Sequence, residues 1–152
     1  VAATSVSFQA WREETADCVY HRYCTLHVHS YGEIVLFQHI ISNEGNGFNN
    51  VTGVFRVPDS GTYAFFVSLV TNGAVGLSVD NSIVSAYYTT VPGNFTAGTL
   101  HATMPLRHGQ TVSVRSVKDG TVIYHSAPFE FVFSGVLVRV SEPWWPQGSS
   151  RM

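Results

Sequence analysis

Hydrophobic and polar residues alternate with a period of two along most of the chain. Every second residue is large and apolar in the segment 63–69, and the segments 112–115 and 129–134 follow the same pattern. Successive side chains of a β-strand point to opposite faces, so this period predicts strands with one buried face. Only the short polar segment 11–17 suits a helical turn. The pattern therefore predicts an all-β protein.

Turn signals divide these predicted strands at short intervals. The segment 33–41 is apolar at successive positions, which predicts a strand covered on both faces. Asp119-Gly120 predicts a hairpin with a two-residue type I′ turn. About eight to ten short strands without helices predict a β-sandwich or jelly roll. No repeat or linker divides the chain, so we expect a single domain over residues 1–152, with a core of about 6–140 and a C-terminal tail at 141–152.

The Gly-rich segment 42–55 contains Gly45-x-Gly47, the opening of a possible phosphate-binding loop. Such a loop needs a third glycine and a following helix. Asn50 stands at the position of the third glycine, and the following residues are β-branched and interrupted by Pro58. A nucleotide site is therefore excluded, and the glycines are expected to serve bends between strands.

Charge is low and evenly spread. Charged residues make up 12% of the chain, with 8 Lys and Arg against 10 Asp and Glu. No basic cluster is present, so nucleic acid is not expected as a partner. No apolar run approaches the ~20 residues that span a bilayer. Such low charge on a β-rich chain suggests that part of its surface is covered in an oligomer.

The sequence resembles the C1q domain family over about residues 6–140. The resemblance rests on an aromatic residue, an asparagine, two further aromatics and a Gly-x-Tyr-x-Phe motif, at the family's spacing. These positions are Phe37, Asn43, Phe48, Phe55, Gly61, Tyr63 and Phe65. Two departures are visible: Val67 replaces the final aromatic, and the segment 12–32 is longer than the family's usual connection.

The resemblance implies a ten-stranded jelly roll related to tumour necrosis factor and assembled as a homotrimer. No collagen repeat precedes the domain, so we expect a secreted, head-only form of the kind found in invertebrates. Such forms resemble lectins that bind microbial glycans in innate immunity. The alternatives are an extracellular matrix or haemolymph protein that binds divalent metals through histidines, and a signalling ligand of the tumour necrosis factor type.

Two cysteines and two sequons favour an extracellular, secreted protein. Cys18 and Cys24 alternate with His21 and His27 at intervals of three, a set that could also bind zinc. A disulfide between the two cysteines is the favoured interpretation in an oxidising compartment. The sequons begin at Asn50 and Asn94, both in polar segments suited to turns, so both are predicted glycosylation sites.

His27 and His29 are the candidate metal ligands. Their spacing places both on one face if the segment is a strand, and two imidazoles can hold Zn²⁺ or Cu²⁺. The alternative is an exposed polar strand face. Calcium is implied only by the family resemblance, because the loop acids Glu44, Asp80 and Asp119 form no dense cluster in the sequence.

Four aromatic residues are candidates for binding a ligand. Tyr87, Tyr88, Trp144 and Trp145 could stack on sugars, although packing in the core or between subunits is the alternative role for the tyrosines. No Gly-x-Ser-x-Gly motif or catalytic triad spacing is present. The protein is therefore predicted not to be an enzyme.

Overall fold

The computed structural model describes residues 5–12, 27–89, 91, 93–124 and 131–141. The predictions for Cys18, Cys24, Trp144 and Trp145 lie outside these residues. The described residues form twelve strands and no helix. The strands are β1 (Ser7–Trp11), β2 (Val28–His29), β3 (His39–Glu44), β4 (Phe48–Asn49), β5 (Val54–Arg56), β6 (Gly61–Thr71), β7 (Ala74–Val79), β8 (Ser82–Tyr88), β9 (Thr96–Leu106), β10 (Thr111–Ser116), β11 (Thr121–Val122) and β12 (Val132–Val140).

Ten of these strands form two five-stranded sheets. The first sheet has the order β3-β1-β12-β6-β9 and the second has the order β4-β5-β10-β7-β8. Every strand pair is antiparallel, and the chain passes repeatedly from one sheet to the other. This is the jelly-roll fold that was predicted. β11 and β2 pair separately as a two-stranded ribbon.

A cluster of aromatic rings fills the space between the two sheets. Phe8 from the first sheet stacks on Phe48 and Phe55 from the second, with ring centroids 4.8 and 4.7 Å apart. Phe133 meets the ring of Phe8 edge-on at 4.9 Å. Buried aromatic side chains contribute large apolar areas to the core, and offset or edge-on pairs add to their packing. In β6 the predicted period of two is confirmed by its alternating burial.

The Gly-rich segment forms a tight bend before β4. Gly45 and Asn46 have φ values of +88° and +56°, which glycine and asparagine accept more readily than other residues. A Cβ on Gly47 would lie 2.6 Å from the Phe55 ring. The amide of Asn43 closes the bend, donating to the Phe48 carbonyl at 2.8 Å and accepting from the Phe48 N–H at 3.1 Å.

The helical turn predicted for residues 11–17 lies mostly outside the described residues, and its first residue, Trp11, ends β1. A second expectation about local structure was wrong. Asp119-Gly120 does not close a hairpin, because β11 pairs with β2 and not with β10. Gly120 has a φ of +85°, whereas Asp119 lacks the positive φ of a type I′ turn. The Asp119 carboxylate instead accepts a hydrogen bond from the Tyr31 N–H at 2.6 Å, which holds the ribbon against this turn.

The segment 33–41 is also not one strand covered on both faces. Its first part forms an isolated bridge between Ile34 and Arg115 and a hydrogen bond from the Val35 N–H to the Val114 carbonyl, both on β10. Its last part enters β3, whose residues are mostly exposed. The segment therefore crosses from the second sheet to the first, and its apolar residues reach the core from this crossing.

Candidate functional site

His27, His29 and Glu33 converge beside the two-stranded ribbon, and we call them the histidine cluster. β2 contains His29, His27 directly precedes it, and Glu33 follows the turn at Tyr31 and Gly32. One ligand atom from each of the three side chains lies within 4.8 Å of the others. Among the described residues, these three side chains form the one group of histidine, cysteine or acidic residues that lie close enough to share a metal ion.

His29 is held in place by the ribbon. Its side chain is 3% exposed, and its Nδ1 lies 3.2 Å from the Thr121 carbonyl oxygen of β11. Because a carbonyl can only accept, Nδ1 carries the proton of the neutral ring and Nε2 keeps the lone pair. The ring of His27 meets that of His29 edge-on, with centroids 4.6 Å apart. The alternative of an exposed polar strand face therefore does not hold for His29.

The turn that carries Glu33 is fixed by the backbone. The Gly32 N–H donates to the Ser116 carbonyl, and the Ser116 N–H donates to the Glu33 carbonyl, both at 2.8 Å. The Ser30 N–H donates to Oε1 of Glu33 at 3.0 Å. Oε2 of the same carboxylate contacts Nε2 of His27. The carboxylate is therefore oriented toward the two imidazoles before any ligand arrives.

The electrostatics of the cluster favour an ionised Glu33. Partial burial acts to raise the pKa of its carboxyl group, but the hydrogen bond from Ser30 and the contact with His27 act against it. When their imidazoles are protonated, His29 and His27 lower this pKa further. The net result is a pKa below the ordinary value, so Glu33 is a carboxylate at neutral pH.

A cavity of about 280 Å³ opens onto the histidine cluster. Arg12 lines it, is almost fully buried, and donates from its guanidinium to the Leu36 carbonyl at 2.8 Å. Gln38 lines it as well, and its buried Oε1 accepts no hydrogen bond within the described part of the chain. The cavity wall therefore offers both hydrogen-bond acceptors and donors to a small ligand, beside the apolar side chains of Ile34 and Leu36.

Sequence reasoning identified the two histidines but missed Glu33. The signal available was Gly32, whose φ of +85° lets the chain turn back after the His-x-His motif. Neither the turn nor the orientation of the carboxylate follows from spacing alone. Metal binding by His27 and His29 stays a prediction, and Glu33 now joins it.

A second candidate region is the solvent-facing side of the first sheet. Neighbouring positions on β12, β6 and β9 form two cross-strand rows there, Ser134–Phe66–His101 and Val136–Ala64–Thr103. We call these six residues the outer sheet face. Phe66 and Val136 remain 46% and 45% exposed. All six line a depression of about 510 Å³, and His101 is the one ionisable side chain among the described residues that line it.

The two tyrosine candidates differ in their surroundings. The ring of Tyr87 covers Gly98, where an added Cβ would lie 2.4 Å from Cδ2, and its hydroxyl is hydrogen-bonded to Thr96. Tyr88 is 61% exposed. An exposed aromatic pair that the sequence analysis missed lies elsewhere, since Phe95 and Tyr124 meet edge-on with centroids 5.7 Å apart. Sugar binding by Tyr87 and Tyr88 stays a prediction.

The two sequons also differ. Asn50 is half-buried, and its side-chain amide donates to the Gln38 carbonyl at 2.9 Å. Asn94 is exposed in the turn before β9. Exposure makes Asn94 the easier position for a glycan. Glycosylation at either residue stays a prediction.

A family model for the C1q domain matches residues 20–138. The chain belongs to the C1q domain family. This match confirms the recognition made from the seven motif residues. No curated protein shows a significant match to the chain. C1q domain proteins are generally extracellular and typically non-enzymatic. The part of the chain that the structure describes contains no long apolar helix of the kind that crosses a membrane.

This C1q domain is similar in fold to the following three solved structures. The globular domain of zebrafish complement 1qA superposes with a TM-score of 0.65 at 18% identity, covering 90% of this chain and 99% of that one. Eiger TNF from S. frugiperda gives 0.60 at 13% identity, covering 95% and 99%. Murine APRIL gives 0.61 at 13% identity, covering 89% and 100%. At these identities the likeness concerns the fold alone.

Proposed function

We propose that this C1q domain is a secreted, non-enzymatic recognition protein that acts as a homotrimer. It binds extracellular ligands, and microbial glycans are the class that the family resemblance suggests. The observation that carries the homotrimer is the outer sheet face, which exposes apolar side chains in the middle of a five-stranded sheet.

The chemistry of the outer sheet face suits contact between copies of the same chain. Phe66 and Val136 supply exposed apolar area, and their row neighbours Ala64 and Ser134 are small enough for close approach. Contiguous exposed apolar surface of this kind marks association sites in soluble proteins. Members of the C1q and tumour necrosis factor families form trimers, which supports three copies as the occupants.

The low overall charge agrees with a covered surface. Charged residues make up only 12% of the chain, about half of the usual share. Val138, on the same strand as Val136, is also exposed. Covering this surface removes apolar area from water, which contributes about 25 cal/mol of stabilisation per Å² of buried apolar area.

The oligomeric state is tested with one charged substitution. Phe66→Glu places a carboxylate in the outer sheet face, where burial between subunits would leave it unpaired. We expect light scattering to give a trimer mass for the wild type and a monomer mass for Phe66→Glu. Val84→Glu is the matched control, since Val84 is an exposed residue of similar character on β8 of the second sheet. A wild-type monomer at micromolar concentration would end the proposal.

Ligand class is tested separately, by a glycan array probed with the wild-type protein. We expect binding to microbial glycans, and loss of that binding in Tyr88→Ala, because Tyr88 presents an exposed aromatic ring. Tyr31→Ala, at another highly exposed tyrosine, is the control. An array without bound glycans would reject the glycan class and leave the test of the trimer unaffected.

A further inference from the structure

We propose that His27, His29 and Glu33 bind one divalent transition-metal ion, with Zn²⁺ as the representative ion. The site would take one imidazole nitrogen from each histidine and one carboxylate oxygen from Glu33. This inference goes beyond the proposed function, because the histidine cluster shares no residue with the outer sheet face or with Tyr88.

The separations in the histidine cluster are close to those of a tetrahedral zinc site. Zinc lies about 2.0–2.2 Å from its nitrogen and oxygen ligands, so tetrahedral ligands are about 3.3 Å apart. The three ligand atoms here lie within 4.8 Å of one another. Small rotations of the exposed His27 and Glu33 side chains would close the remaining gap, while the buried His29 needs no large movement.

The residues around the cluster act as the outer shell of a metal site. Metal-binding histidines commonly donate their second ring N–H to a carbonyl or carboxylate, which fixes the ring and its tautomer. The Thr121 carbonyl holds that position for His29. The Ser30 N–H plays the corresponding role for the Glu33 carboxylate. Both acceptor and donor are backbone groups of hydrogen-bonded turns or strands, so the geometry is set without the metal.

The types of ligand select the class of metal. Two imidazoles and one carboxylate suit Zn²⁺ or Cu²⁺, whereas Ca²⁺ requires six to eight oxygen ligands. Arg12 adds a positive charge to the cavity wall, and Glu33 is the acidic residue that faces it among the described lining residues. A hard cation held mainly by charge would be disfavoured here. A transition metal held by nitrogen lone pairs is less affected.

The site would keep a coordination position for water or an external ligand. Three protein ligands plus one exchangeable ligand is the arrangement of open zinc sites. Gln38 lines the same cavity with a buried Oε1 that accepts no hydrogen bond within the described residues. A metal-bound water would supply the missing donor.

The first test is a calorimetric titration of the full chain, after EDTA treatment, with ZnCl₂. We expect one Zn²⁺ per chain. His27→Ala and Glu33→Gln should each weaken binding at least about tenfold, the loss that even an outer-shell substitution causes. Both side chains are partly exposed, so both variants are expected to fold, which circular dichroism checks. His108→Ala is the control, because His108 is an exposed histidine of the β9–β10 turn.

The second test identifies the ligands. X-ray absorption at the zinc edge should show nitrogen and oxygen neighbours with imidazole scattering. The proposal would be overturned if the wild type showed neither a heat of binding in the ZnCl₂ titration nor a rise in melting temperature with ZnCl₂. Unchanged affinity in both His27→Ala and Glu33→Gln, or sulfur neighbours in the absorption spectrum, would also overturn it. Displacement of Zn²⁺ by an equal concentration of Ca²⁺ would overturn the class of metal. Failure of the trimer in light scattering would leave these readouts unchanged.

Discussion

Asn43 illustrates at the residue scale how one polar side chain supports the fold. Its amide hydrogen-bonds both the N–H and the carbonyl of Phe48, across the bend formed by Gly45 and Asn46. Phe48 is thereby placed to stack on Phe8 in the core. An asparagine among the family's motif residues thus has a structural role, and the same sequence motif carries no information about a ligand.

Asp80 gives a prediction for the pH dependence of stability. Hydrogen bonds from Gln110 and from the Thr111 N–H, at 2.8 and 2.9 Å, lower the pKa of its carboxyl group below the ordinary value. A lowered folded-state pKa stabilises the protein above the unfolded pKa, which is about 3.9, and this contribution is lost as the pH falls through the folded pKa. Stability should therefore decline on acidification partly through Asp80.

Asp80→Asn tests this directly. We expect its urea midpoint to fall less than that of the wild type between about pH 5 and about pH 2.5, because the substituted group no longer takes up a proton. Asparagine also tolerates the φ of +48° at this position. Asp59→Asn removes a carboxylate from another turn and is the control. Identical pH slopes for Asp80→Asn and the wild type would contradict the prediction.

At the element scale, β12 shows why a glycine is needed inside a strand. A Cβ on Gly135 would lie 2.5 Å from the Phe8 ring and 2.8 Å from the Phe65 ring. These rings belong to the central aromatic cluster and cannot retreat without disturbing Phe55 and Phe133. At Gly135, the backbone of β12 therefore lies closer to the core rings than it could if this residue had a side chain.

Gly135→Ala is expected to destabilise the domain by about 1–3 kcal/mol, the usual range for overpacking of a core. Urea unfolding followed by tryptophan fluorescence measures the change. Val84→Ala, at an exposed position of β8, should change stability by less than about 0.5 kcal/mol. Equal effects of the two substitutions would show that the Phe8 and Phe65 rings can move aside.

The ribbon of β2 and β11 also belongs to the element scale. Local turn chemistry at Asp119-Gly120 favoured a hairpin between β10 and β11, yet β11 pairs with a strand more than 90 positions earlier, as Thr121 does with His29. This long-range pairing creates the histidine cluster, since Thr121 supplies the carbonyl that orients His29. A local signal cannot report a partner so distant in sequence.

For the whole molecule, the proposed homotrimer links stability to concentration. If subunits associate only when folded, dilution favours unfolding and the melting temperature depends on protein concentration. We expect the melting temperature of the wild type to rise between about 1 and 100 µM protein. Phe66→Glu should melt at a constant temperature, and the Val84→Glu control should retain the dependence. A flat wild-type profile would indicate that folding does not require association.

The sequence by itself determined the all-β class, the jelly roll and the family. These follow from patterns repeated along the chain: a period of two, frequent turn residues, and motif residues such as Phe55 and Tyr63 whose large side chains must fill a sandwich core. It also indicated His27 and His29, because local strand geometry alone brings residues two positions apart to the same face.

Only the tertiary structure decided what surrounds those histidines. His29 is buried and hydrogen-bonded to Thr121 because a distant segment packs against it. Glu33 reaches the histidines because the chain turns back after Ser30. The exposure of Phe66 likewise depends on which face of β6 the core takes. The physical reason is that alternation defines two faces of a strand, whereas long-range pairing and packing decide which groups meet on each face.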